Sequence, residues 1–81
     1  MIAELVIYTR KDCCLCDEMK NVIHQVAAQT PLVLAEIDVD GSPQTQERYG
    51  AEVPVLLING RKAFKYRMTR GELEKKLAKD L

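Results

Sequence analysis

Three apolar runs, one alternating run and the helical stretches between them account for nearly all of this 81-residue chain. Leu5-Val6-Ile7-Tyr8-Thr9 is an unbroken β-branched and aromatic run, the pattern of a strand covered on both faces, and predicts a central strand. From Cys13 to about Gln29 the apolar positions Cys16, Met19, Val22, Ile23, Val26 and Ala27 recur at spacings of three and four, which draws one buried stripe on a helix. Asp12 is its predicted N-cap, and Thr30-Pro31 stops it, because the residue before proline is pushed out of the α region. Leu32 to Val39 is again almost continuously apolar and predicts a second strand inside the sheet, parallel to the first across a right-handed crossover.

Asp40-Gly41-Ser42-Pro43 is turn chemistry, with Ser42 and Pro43 suited to the N-cap and first position of a short helix running to about Tyr49, closed by Gly50 at C′. Val55-Leu56-Leu57-Ile58 forms a third strand. Asn59-Gly60 is the pair that a type I′ turn demands, and Lys62-Ala63-Phe64-Lys65-Tyr66 then alternates as an edge strand. Thr69-Arg70-Gly71-Glu72 fits a capping box, and Leu73, Leu77 and Leu81 give the last helix one narrow apolar seam. The order β-α-β-α-β-β-α predicts a single α/β domain with helices on both faces of one four-stranded mixed sheet.

Composition narrows the partners. With 47% hydrophobic and 30% charged residues the chain is ordinary for a globular protein. Twelve basic and twelve acidic side chains cancel, so no global field recruits nucleic acid or an anionic membrane surface. Glu4 interrupts the N-terminal apolar residues and no basic leader precedes them, so the expectation is a first strand and not a signal peptide. No apolar run approaches a membrane span. These features together predict a cytoplasmic monomer, and in that compartment a Cys-X-X-Cys pair is redox or metal chemistry more often than a structural disulfide.

All three cysteines, Cys13, Cys14 and Cys16, lie between Tyr8 and Met19, where the first strand hands over to a helix N-terminus. Thiol–disulfide exchange needs an accessible thiolate, a second thiol within reach and something that stabilises the anion. Cys13 at the helix start faces unpaired amides, with Arg10 and Lys11 nearby; Cys16, one turn further in on the apolar stripe, suits a buried resolving thiol. Cys14 reads as an inert spacer, an auxiliary thiol or a metal ligand. A structural zinc site wants four ligands, and no second cysteine pair exists; His24, eight residues past Cys16 and so about 12 Å along the helix, is too distant to join them.

With Cys13-Cys14-Leu15-Cys16 after the first strand and Val53-Pro54 before the third, the chain resembles the glutaredoxin branch of the thioredoxin-like fold, closest to small bacterial glutaredoxin-like proteins. The resemblance implies a thiol–disulfide oxidoreductase with Cys13 as nucleophile and Cys16 as resolving thiol. It implies a cis bond before Pro54, with the Val53 backbone offered to a disulfide-bearing substrate. It puts Arg10 against a glutathione carboxylate. The expected partners are disulfide-containing proteins or small thiol substrates and a thiol reductant, with no bound cofactor and glutathione as reductant or co-substrate. Two departures predict an impaired glutathione site: Glu52 precedes Val53-Pro54, and Arg67-Met68-Thr69-Arg70-Gly71 stands where glutaredoxins carry a Gly-Gly pair. A metal or iron–sulfur carrier and a non-catalytic thioredoxin-like binding module are the alternative readings.

Overall fold

The structure, a computed structural model, describes residues 2–80. The chain runs β1 (Ala3–Thr9), α1 (Cys14–Ala27), β2 (Leu32–Asp38), a 3₁₀ turn (Val39–Gly41), α2 (Pro43–Tyr49), β3 (Val55–Ile58), β4 (Arg61–Lys65) and α3 (Arg70–Asp80). The sheet order is β2-β1-β3-β4, with β1 and β2 parallel and the other two pairs antiparallel. This is the β-α-β-α-β-β-α order expected from the pattern, and the thioredoxin-like architecture that the resemblance implies.

Alternation along β1 builds the two layers. Ala3, Leu5 and Ile7 point to one face, where Met19, Ile23 and Val26 of α1 and Leu73 and Leu77 of α3 close over them with Leu56 and Ile58 of β3. Each of these side chains is almost wholly removed from water, and burial of that kind contributes roughly 1.5–3 kcal/mol per residue before entropy is counted. The other face is covered by α2, whose Tyr49 stacks on Tyr8 with ring centroids 4.1 Å apart, alongside Val39 and Val55.

Local signals that depend on a few neighbours appear where the sequence put them. Ser42 Oγ accepts the Thr45 N–H at the start of α2. Asn59 and Gly60 both have positive φ, as a type I′ turn requires. Thr69 and Glu72 exchange both capping-box bonds at 3.1 and 2.9 Å.

Four expectations need correction. β2 is an edge strand, not an internal one: among the described residues it pairs only with β1, and Val33 and Ile37 are 56% and 36% exposed. A continuous apolar run records apolar character and not the number of neighbouring strands. Asp12 does not cap α1; it sits at φ 60 and turns the chain, and Cys13 takes the N-cap position. Ala27, predicted in the buried stripe, is exposed at the helix end. Gly50 is the C-cap of α2 in a right-handed conformation, φ −56, and is small for a different reason: a Cβ there would stand 2.4 Å from the Gln46 carbonyl oxygen. Leu81 lies outside the described residues.

Sheet register gathers the cysteine-bearing turn and its neighbours. Tyr8 pairs with Val55 and Thr9 with Asp38. The turn after β1, the Val53-Pro54 entry to β3 and the end of β2 therefore meet at one edge of the molecule.

Candidate functional site

The Arg10-Lys11-Asp12 turn delivers Cys13 to the head of α1 in extended conformation, φ −106 and ψ 110, so that its side chain curls back over the first helical turn. Its Sγ accepts the Cys16 N–H at 3.2 Å, while its carbonyl accepts the Asp17 N–H. The sulfur thus takes the place that a serine or aspartate oxygen takes in an ordinary N-cap. Exposure separates the three free thiols: Cys14 faces solvent, Cys13 is half-buried and Cys16 is 1% exposed. Burial pushes the Cys16 thiol up to about 11, helped by its hydrogen bond to Cys13; the Arg10 N–H and the charge of Lys20 pull the other way.

The other features expected of the site come from several elements. The Val53-Pro54 peptide is cis, and the Pro54 carbonyl accepts the Tyr66 N–H at 2.9 Å, tying the loop to the end of β4. Beside Leu15 a cleft of about 500 Å³ opens between α1 and the β4–α3 loop; Met19, Val22 and Met68 line it with Tyr66, Arg67 and the acidic Glu18 and Glu72. Among the described residues no three His, Cys, Asp or Glu side chains converge as metal ligands, and no helix is long and apolar enough to cross a membrane.

The glutaredoxin-like domain family (DUF836) matches residues 4–78. The chain belongs to this family. Among solved structures it is similar to the structural genomics target protein XcR50 from X. campestris, at 28% identity and a TM-score of 0.76, over 93% of this chain and 96% of that one in the X-ray structure. It also shares its fold with protein Ne2328 from Nitrosomonas europaea, at 22% identity and a TM-score of 0.73, over 94% of this chain and 92% of that one.

Within this glutaredoxin-like domain, the groups at the expected glutathione site already have partners in the protein. Arg10 holds Asp40 through Nε and Nη2 at 3.2 and 3.3 Å, and Asp40 also accepts from Gln46 Nε2. Asp40 therefore already compensates part of the Arg10 charge that a substrate carboxylate would meet. The charge of Glu52 alone predicts repulsion of an anion beside Val53-Pro54; instead Lys62 and Lys65 clamp its two oxygens at 2.8 and 2.9 Å and hold its carboxyl down to about 2. At the head of α3, Thr69 and Glu72 already satisfy backbone amides that an anionic ligand could otherwise use.

Sequence reasoning missed three features. Tyr66, at φ 67, leaves the sheet to line the cleft, and no pattern announces that. The Tyr8–Tyr49 stack joins residues forty-one positions apart; burial, followed by the neighbouring Tyr49, raises the Tyr8 phenol. Lys20 binds Glu36 and Asp17, and its place four residues after Cys16 was a signal available in the sequence.

Proposed function

We propose that this domain is a dithiol–disulfide oxidoreductase in which Cys13 is the nucleophile and Cys16 the resolving thiol. The observation that carries this reading is the asymmetry of the pair: the Cys16 N–H donates to the sulfur of Cys13, and Cys16 itself is buried and held protonated. A thiolate at Cys13 attacks one sulfur of a substrate disulfide, forms a mixed disulfide and releases the other sulfur as a thiolate. Cys16 then loses its proton and attacks Cys13 Sγ, which releases the reduced substrate and leaves a Cys13–Cys16 bond. A separate thiol donor must return two electrons to that bond.

Substrate docking is assigned to the Val53-Pro54 segment, where an extended peptide could add main-chain contacts, and to the cleft beside Leu15. Arg10 contributes by bracing the turn through Asp40. Cys14, exposed and adjacent, acts as spacer or as an acceptor of mixed disulfides. The self-occupied Arg10 and the capped head of α3 favour a dithiol donor over glutathione as reductant. A cytoplasmic, reducing compartment suits this cycle.

Insulin reduction by the wild type, Cys13→Ser and Cys16→Ser tests the assignment. Cys13→Ser is expected to be inactive, and Cys16→Ser to accumulate a mixed disulfide visible by mass spectrometry. Unchanged turnover in Cys13→Ser would overturn the nucleophile, and faster recycling by glutathione than by a dithiol donor would overturn the preference for the latter.

A further inference from the structure

Between the β1–α1 turn, α1 and β2 lies a second cleft of about 480 Å³ with polar walls that include Thr9, Asp17, Lys20, Glu36 and Asp38. Lys20 is four residues beyond Cys16 on α1, so the two side chains stand one turn apart on the same side of the helix. Its ammonium is held from two sides, by Glu36 Oε1 of β2 at 3.1 Å and by Asp17 Oδ1 at 3.5 Å, and only 26% of the side chain is exposed. As a fastening between α1 and β2 such a pair would be worth little.

We propose that Lys20 is a positioning residue for the resolving thiol: its ammonium steadies the negative charge that the Cys16 sulfur acquires as it attacks, and Glu36 sets how far that charge is compensated. This rests on the assignment of Cys13 and Cys16 made above. In the step concerned, an electron pair on the Cys16 sulfur forms the bond to Cys13 Sγ. The bond between Cys13 and the substrate sulfur breaks, and that sulfur leaves with the bonding pair and takes up the proton Cys16 has released. The dithiol is oxidised by two electrons and the substrate disulfide is reduced by the same two, so no further reactant enters.

The electrostatics of this step differ from those of the resting dithiol. Acting on Cys16 are Cys13 from the turn, the Arg10 N–H, and Lys20 one turn further along α1; Lys20 in turn shares its cleft with Asp17 of α1, Glu36 and Asp38 of β2, and Arg10, Lys11 and Asp12 of the β1–α1 turn. Once Cys13 is in a mixed disulfide its opposing charge is gone. Burial then resists ionisation of Cys16, while Lys20 and the Arg10 N–H favour it. Lys20 acts by charge and not as a base, because its bond to Glu36 raises its own pKa and keeps it protonated.

This role has a signature that a purely structural ion pair does not share. Lys20→Met removes the cation and leaves Glu36 and Asp17 uncompensated, which makes the Cys16 thiolate harder to form. Glu36→Gln leaves the ammonium with Asp17 as its remaining carboxylate partner, so less of its charge is compensated, which makes it easier. If the pair merely fastens α1 to β2, both variants lose the same contact and change the rate in the same direction, or leave it alone.

The experiment mixes reduced protein in a Cys14→Ser background with one equivalent of dithiobis-nitrobenzoate and follows the coloured thiolate, whose first release reports Cys13 and whose second reports resolution by Cys16. Thiolate fraction changes tenfold per pKa unit and nucleophilicity returns somewhat under half of that, so a shift of about one unit alters the second phase by roughly threefold near pH 7. Lys20→Met is expected to slow that phase and move its pH profile upward, Glu36→Gln to accelerate it and move the profile downward, and Lys20→Arg to restore it, all with the first phase unchanged. Shifts of the same sign in Lys20→Met and Glu36→Gln, or no shift in either, would overturn the proposal. A second phase that persists in Cys16→Ser would instead overturn the assignment of the resolving thiol.

Discussion

Raising the pH of the reduced protein is expected to destabilise it through one buried thiol. Cys16 is 1% exposed, and its pKa stands at about 11 against an ordinary 9.0. A group whose folded pKa lies above its unfolded value holds its proton more tightly in the fold. Its contribution is whole below the unfolded pKa and is lost as the pH climbs through the folded one, here between 9.0 and about 11. At 1.36 kcal/mol per unit, that linkage removes about 2 kcal/mol by roughly pH 10.5. Lysines and tyrosines titrate in the same range, so the reference is Cys16→Ala, which keeps all of them. That variant starts lower because its lost sulfur leaves a small cavity, and only the change with pH is compared. Urea unfolding followed by circular dichroism, with excess reductant, gives the stability of both proteins at about pH 8 and about pH 10.5, with the wild type expected to lose the additional ~2 kcal/mol. Equal losses in the two proteins would show that burial does not hold the Cys16 proton, and the argument for a protonated, waiting thiol would fall with it.

Three other perturbations have outcomes that the structure specifies. Glu52→Gln is expected to be less stable than the wild type above pH 4.5 and to converge with it as the pH falls toward 2, because the depressed carboxyl contributes stability only while ionised; a pH series of thermal unfolding reads this. Gly50→Ala adds a Cβ 2.4 Å from the Gln46 carbonyl and 3.0 Å from Arg10 Nη2, and is expected to cost roughly 1–3 kcal/mol in urea unfolding, as overpacking does elsewhere. Leu73→Ala, at a fully buried position between α3 and the sheet, is expected to cost about 2–5 kcal/mol in the same assay.

What the sequence determined by itself is the set of features governed by near neighbours. Apolar runs, alternation, three-and-four spacing and cap residues marked the strands and α-helices, and the type I′ turn and the capping box formed because their residues act within four positions of each other. The element order and the Cys13-X-X-Cys16 spacing at a strand-to-helix junction were legible for the same reason. Tertiary structure alone decided which strands lie at the edges, since β2 carries an internal strand's composition but stands at the end of the sheet order β2-β1-β3-β4. It also decided the charge environment of the site. Arg10 turns to Asp40, Glu52 is neutralised by two lysines of β4, and Lys20 reaches Glu36, pairings separated by ten to thirty residues in the chain. Long-range ion pairs leave no periodic trace, because they depend on where the sheet register brings two side chains and not on what surrounds either in sequence. The sequence named the two thiols; the folded chain determined which is buried, and what lies close enough to govern its proton.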